Sequence, residues 1–155
     1  MAIYASDTGY QLEKKDSHDV SLKLDFLVDE PGKLSMFDGL SNVEAFAQEA
    51  MTYNSHYNGI SLETFTSDAG IGGMFKPTST SYDPESGDSF VATMEAFDYP
   101  FYGTQFHPEK ITTMYNSEGL NHSWQSVNYN RWFADRFIEL ARENTNTCGA
   151  DFADC

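Results

Sequence analysis

The chain has 155 residues, of which 24 are acidic and 9 basic, for a net charge of -15. That balance argues against a phosphate backbone or an anionic membrane surface as a partner, so no nucleic acid is expected. Aromatic residues make up 15% of the chain, enough to build the core of one domain, and no apolar run approaches the length of a bilayer span. Met1 to Tyr10 lacks the basic start and apolar middle of a signal peptide.

Met1 to Gly9 reads as short and turn-like, and Gln11 to Lys15 is mostly polar. Val20, Leu22, Leu24 and Phe26 alternate with Ser21, Lys23 and Asp25, the period-two pattern of a strand with one wet face. Asp29-Glu30-Pro31-Gly32-Lys33 marks a turn, and Leu34 to Leu40 a single helical turn. Asn42 can cap a helix reaching Ala50, with Val43, Phe46, Ala47 and Ala50 on one face. Thr52 to Ser61, rich in Asn and Gly, reads as an irregular loop carrying His56. Glu63 to Asp68 reads as a short strand. Gly70-Ile71-Gly72-Gly73 lacks the Lys-Ser/Thr ending of a phosphate loop and reads as a flexible connection. Phe75 to Tyr82 and Ser89 to Phe97 form a predicted hairpin around the turn residues Asp83 to Asp88.

Asp98 to Pro100 then turns the chain into an apolar strand ending at His107. Pro108 cannot donate to a ladder, so pairing stops there. His107 and Glu109 lie two apart and fall on one side of an extended strand end. A carboxylate beside an imidazole fixes its tautomer and steadies its protonated form, as a general base requires. Ile111 to Ser123 is irregular and contains the glycan-acceptor triplet Asn121-His122-Ser123. Ser126 can cap a helix reaching Asn144, with Val127, Trp132, Phe133, Phe137, Leu140 and Ala141 mostly on one side. Arg131, Asp135, Arg136, Glu139, Arg142 and Glu143 form its solvated face.

Residue by residue, His56 reads first as a loop histidine without a role, and His107 equally as a structural or a catalytic group. The four histidines, His18, His56, His107 and His122, show no ligand spacing, so no metal is expected. The two cysteines, Cys148 and Cys155, sit in a small polar tail. They can close a loop in an oxidising compartment or pair with other chains. Neither has the basic neighbours that activate a thiolate.

Gly103, Gln105, Phe106, His107, Pro108 and Glu109, in the run Tyr99 to Lys110, resemble the catalytic-histidine segment of the gamma-glutamyl hydrolases, in the class I glutamine amidotransferase-like superfamily. The resemblance continues more weakly from Ser6 to Asn144. It implies an α/β fold, the C-terminal part of a flavodoxin-like three-layer architecture, with residues 1–144 a partial domain and 145–155 a tail. It also implies His107 as general base, Glu109 as its orienting carboxylate and His56 as a substrate-binding residue. The implied reaction is hydrolysis of gamma-glutamyl bonds in folate polyglutamates, with no cofactor. The family's nucleophilic Cys lies upstream of the His on a tight turn, whereas both cysteines here lie downstream. The chain alone is therefore expected to be inactive, with the Cys on absent sequence, and a protein partner is expected either to supply the Cys or to cover open sheet edges. The alternative is a noncatalytic homologue acting as a binding or structural subunit. The family is mainly secreted, lysosomal or vacuolar.

Overall fold

The computed structural model describes residues 5–9, 12–145 and 147. Its spine is the predicted hairpin. Strands β4 (Phe75–Tyr82) and β5 (Ser89–Ala96) pair antiparallel, and Gly87, at φ 75°, takes the left-handed conformation that closes the turn between them. Two short strands extend this sheet, β2 (Asp25–Phe26) against β4 and β6 (Tyr102–Thr104) against β5. A second, two-stranded antiparallel sheet joins β1 (Glu13–Leu22) to β3 (Thr52–Gly59).

Successive strand residues face opposite ways, and β5 is buried on both sides. Ala92 packs with Phe37, Phe46 and Phe106 under the long helix α5 (Trp124–Glu143), whose Phe133 closes that core. Val91 points into a separate cluster with Phe65, Ile71 and Phe75, formed by the short helices α2 (Leu62–Ser67) and α3 (Ala69–Met74). The result is an α/β architecture with helical segments on both faces of the hairpin sheet. Phe37 sits at the centre of the larger core, with ring centroids 5.7 to 5.9 Å from those of Phe26, Phe46 and Phe133.

Several local expectations are corrected. The strand predicted through Phe26 breaks after Leu22, because the Leu24 N–H donates to the Phe46 carbonyl (2.8 Å) and the chain crosses to the other sheet. The helix predicted from Asn42 shrinks to one turn, α1 (Ala45–Gln48). Asn42 has φ 56° and cannot start a helix, and Ala45 rather than Ala47 enters the core. Thr52 to Gly59 is a strand, not a loop, since β1 satisfies its backbone. The segment predicted as a strand from Glu63 is helical as far as Ser67, because the Ser61 hydroxyl caps the Thr64 N–H (3.1 Å).

The glycine-rich run at Gly70 to Gly73 is helical too, capped by the Asp68 carboxylate on the Ile71 N–H (2.9 Å). A Cβ on Gly70 would overlap the Ala5 carbonyl, so glycine there lets the N-terminal turn dock, and Ser6 Oγ donates to Asp68 at 2.7 Å. The closing helix begins earlier than expected. Ser123 is its cap, accepting the Ser126 N–H (3.1 Å), and Ser126 is buried inside it. Arg136, expected in the solvated face, donates from Nε to the Ser35 carbonyl (2.8 Å) and pairs with Asp38. Phe137, expected to be buried, is 68% exposed.

Replacing Phe37 by Ala is expected to cost about 3–5 kcal/mol of unfolding free energy, the range for truncating a buried aromatic. Urea titration followed by far-UV circular dichroism measures it, and a loss under about 1 kcal/mol would contradict the assigned core.

Candidate functional site

The segment after β6 crosses between the two sheets. The Gln105 N–H donates to the Ala92 carbonyl of β5 (2.8 Å), Phe106 is buried in the larger core, and the His107 N–H donates to the Tyr53 carbonyl of β3 (2.8 Å). Pro108 then opens helix α4 (Pro108–Thr113) at its first position, where the missing N–H has no partner to lose. His107 is therefore the N-cap residue of α4, three positions beyond the end of β6.

Across that junction His107 Nδ1 and Glu109 Oε1 lie 2.8 Å apart. The two side chains meet as expected, but not as neighbours along a strand: His107 occupies the N-cap position of α4, without a side-chain capping bond, and Glu109 stands in its first turn. With the carboxylate accepting from Nδ1–H, the Nε2 lone pair points away from the pair, and no described residue bonds to it. The side chains are 36% and 62% exposed, so both are open to a reactant.

His56 lies on β3, half-buried, with its ring edge against Phe90 at 4.7 Å. Its Nδ1 faces the Lys15 carbonyl (3.1 Å) and its Nε2 the Asn54 Oδ1 (3.2 Å). The Asn54 amide is oriented by donating to the Thr52 carbonyl (2.8 Å), so both ring nitrogens meet acceptors. Burial nevertheless pushes the His56 pKa below its usual 6.5. The Lys15 and Asn58 backbone bonds oppose the shift, and the charge of nearby His107 adds to it. His56 and His107 thus share one neighbourhood, in which burial disfavours the charged form of His56.

A group that sequence reading missed lies beneath. The Tyr53 hydroxyl donates to Asp19 Oδ1 (2.9 Å), Ser117 donates to the same oxygen, and the Lys110 ammonium stands 5.6 Å from the Tyr53 ring centroid. The Ser117 and Tyr53 hydroxyls hold the Asp19 carboxyl below its usual range. Asp19 itself adopts φ 57°, and a Cβ on Gly119 would overlap its carbonyl, so only glycine lets the 114–123 segment approach β1 this closely. No local pattern signals this group, since Asp19, Tyr53, Lys110 and Ser117 come from four separate segments.

The other histidines have different settings. His18 stacks on Tyr57, while His122 stacks on Tyr115 and meets the Met114 carbonyl. Among the described residues no group of three or more His, Cys, Asp or Glu could hold a metal ion, and no helix is long and apolar enough to cross a membrane. Cys148 and Cys155 lie outside the described residues. In the glycan-acceptor triplet, the Asn121 side-chain nitrogen donates to the Ala50 carbonyl (2.8 Å), so the atom a glycan would occupy is engaged within the fold.

A cavity of about 220 Å³ lies two residues before His107, walled by Ile60, Phe65, Val91 and Met94 with Thr104 and Gln105 on β6's side. Its chemistry is mainly apolar with a polar edge.

The chain is similar to several characterised proteins. It is 31% identical over 140 residues to gamma-glutamyl hydrolase of Homo sapiens, covering 87% of this chain and 42% of that protein. Gamma-glutamyl hydrolase B of Dictyostelium discoideum is 28% identical over 105 residues, covering 67% of this chain and 30% of the relative. Gamma-glutamyl hydrolase 1 of Arabidopsis thaliana is 26% identical over 148 residues, covering 94% and 42% respectively. The chain spans less than half the length of each of these relatives. No protein-family model matches it.

The depressed His56 pKa sets a sign for stability against pH. The unfolded chain binds this proton more readily than the folded one, so the stabilisation is present above pH 6.5 and is lost as the pH falls toward the folded value. Glu13 acts in a lower window. Burial would raise its pKa, but the Thr64 and Ser61 hydroxyls bring it to about 2, so its stabilisation is lost below the usual carboxylate range. Urea midpoints measured at pH 7.5 and 5.5 are expected to differ less in His56→Asn than in the parent chain. An unchanged difference would show that His56 does not titrate in this window.

Proposed function

Because the chain belongs to the gamma-glutamyl hydrolase family, we propose that it supplies the imidazole–carboxylate half of a Cys-His-Glu centre that hydrolyses gamma-glutamyl amides, pteroylpoly-gamma-glutamates being the substrate class the family resemblance implies. The observation that carries the proposal is the 2.8 Å contact of His107 Nδ1 with Glu109, at the end of a backbone segment fixed to both sheets, with Nε2 unengaged by any described residue. The whole domain is then the C-terminal part of a class I glutamine amidotransferase-like, flavodoxin-like fold.

In this reading Glu109 accepts a hydrogen bond from Nδ1–H, which stays on the ring, and keeps the Nε2 lone pair directed outward. His107 Nε2 takes the proton of a cysteine thiol, and the thiolate attacks the gamma-carbonyl carbon. The imidazolium then gives that proton to the leaving amine nitrogen as the C–N bond breaks, leaving a thioester. His107 next accepts a proton from water, whose oxygen displaces the sulfur, and returning the proton to sulfur restores the centre. His56 serves as a substrate-binding residue by exchanging its Nε2 contact with Asn54 Oδ1 for one to the substrate. No step requires a cofactor.

The sulfur is supplied from outside these 155 residues, since the only two cysteines, Cys148 and Cys155, lie downstream of the histidine in a segment lacking any basic neighbour. A second reading, a noncatalytic subunit that binds another protein, is favoured by one observation. Phe97, Tyr99, Phe101, Phe137 and Ile138 are each 44–68% exposed, and two of them, Phe101 and Phe137, border a groove of about 670 Å³ between the start of β6 and the C-terminal half of α5.

The isolated chain is expected to show no turnover of a gamma-glutamyl peptide. Adding a separately expressed, cysteine-bearing N-terminal part of a relative is expected to restore turnover, abolished by His107→Ala and reduced on the order of 10²-fold by Glu109→Gln. Turnover by the isolated chain, sensitive to His107→Ala, would overturn this division of roles. Stable association without turnover would favour the noncatalytic subunit.

A further inference from the structure

A gamma-glutamyl amide carries a free α-carboxylate beside the bond to be cut, and a chain of net charge -15 repels it unless a cation is placed to receive it. Lys15, Lys33, Arg131 and Arg136 already pair with carboxylates. Of the remaining basic side chains, Lys14 lies on β1, Lys23 between β1 and β2, Lys76 on β4 and Arg142 near the end of α5. Only Lys110 stands in the turn that carries His107.

Lys110 stands three positions after His107, in the first turn of the helix that His107 precedes. Lys110 is half-buried, and its ammonium has no carboxylate partner among the described residues. Glu109 Oε1 is occupied by His107. The ammonium lies 5.6 Å from the Tyr53 ring centroid, and the Tyr53 carbonyl accepts the His107 N–H. Tyr53 is in turn anchored through its hydroxyl to Asp19. The cation is therefore held over a fixed aromatic face tied to the backbone of the catalytic imidazole, and its ammonium protons remain available.

We propose that Lys110 is a specificity-determining residue, receiving the α-carboxylate of the gamma-glutamyl unit whose amide faces His107. The inference rests on the functional reading above. A purely structural role for Lys110, as a cover on the Tyr53 ring, would make no distinction between a ligand with that carboxylate and one without it.

The test uses the ¹⁵N-labelled full chain titrated with gamma-glutamyl-glutamate and, separately, with the same dipeptide carrying α-carboxamides. The His107 imidazole and backbone signals report occupancy. The free acid is expected to bind the parent chain at least about tenfold more tightly than the amide, as a charge-assisted contact provides. Lys110→Met is expected to erase that difference by weakening the acid alone, and Lys110→Arg to keep most of it. Equal preference for the acid in the parent chain and in Lys110→Met would overturn the assignment of Lys110 while leaving the functional reading in place. No response of the His107 signals to either ligand would overturn the functional reading, and this inference with it. Thermal melts of both variants establish that a change in binding is read from folded protein.

Discussion

Three consecutive residues hold the two sheets and the candidate site together. Gln105 donates to β5, His107 donates to β3, and the side chain between them, Phe106, is buried beneath α5 with its ring 5.4 Å from that of Phe133. Burying an aromatic of this size contributes roughly 1.5–3 kcal/mol, and the two N–H groups would be costly to leave without acceptors in the interior. Gln105 and Phe106 form a bend beyond the last residue of β6, and His107 after it is left partly exposed. The imidazole is therefore positioned by the core contact of Phe106 and the two backbone bonds that flank it.

The β1–β3 sheet that receives His107 is held differently. Its strands are polar, and two irregularities in register, one around Asp16 and one at Asp19, bend β1. Side-chain carboxylates compensate at these points. Asp88 accepts the Asp16 N–H at 2.9 Å, and Glu13 gathers the Ser61 and Thr64 hydroxyls at the start of α2 while pairing with Lys15. Much of the acidic excess near this sheet is therefore engaged in hydrogen bonds, which explains how Glu13 and Asp68 are both held ionised down to about pH 2. Desolvation opposes this at each group and is outweighed by donors.

The contrast between these two regions accounts for what could be read in advance. The β4–β5 hairpin was legible because its turn is dense in Asp, Pro and Gly and its strands are buried on both faces. The long closing helix was legible in extent from the spacing of Val127, Phe133 and their neighbours, though its far half proved exposed. β3 was not legible: Asn54, His56 and Asn58 have poor strand propensity, and it is long-range pairing with β1 that extends them. α2 and α3 were hidden because their starts depend on the caps Ser61 and Asp68 rather than on an apolar stripe, and Gly70 is tolerated for the sake of a close approach to Ala5. The proximity of His107 and Glu109 was legible, but the helix that produces it was not. For the same reason Lys110 gained significance only once its turn with His107 was known.

The His107–Glu109 pair has little to do with stability. Exposed ion pairs contribute about 0–1 kcal/mol, and the exposure of these two side chains places them in that class. If folding were the only demand, a polar residue of almost any kind would serve after Phe106, because the backbone N–H and not the imidazole makes the bond to Tyr53. Histidine here, followed by a proline that starts the helix and a carboxylate within its first turn, is the arrangement that the proton-transfer role proposed above uses. Pro108 begins α4 immediately after the imidazole, and that early start brings Glu109 back onto Nδ1. The proline that starts the helix and the carboxylate in its first turn are therefore one arrangement: a backbone fixed by the core on one side presents an imidazole paired with a carboxylate on the other.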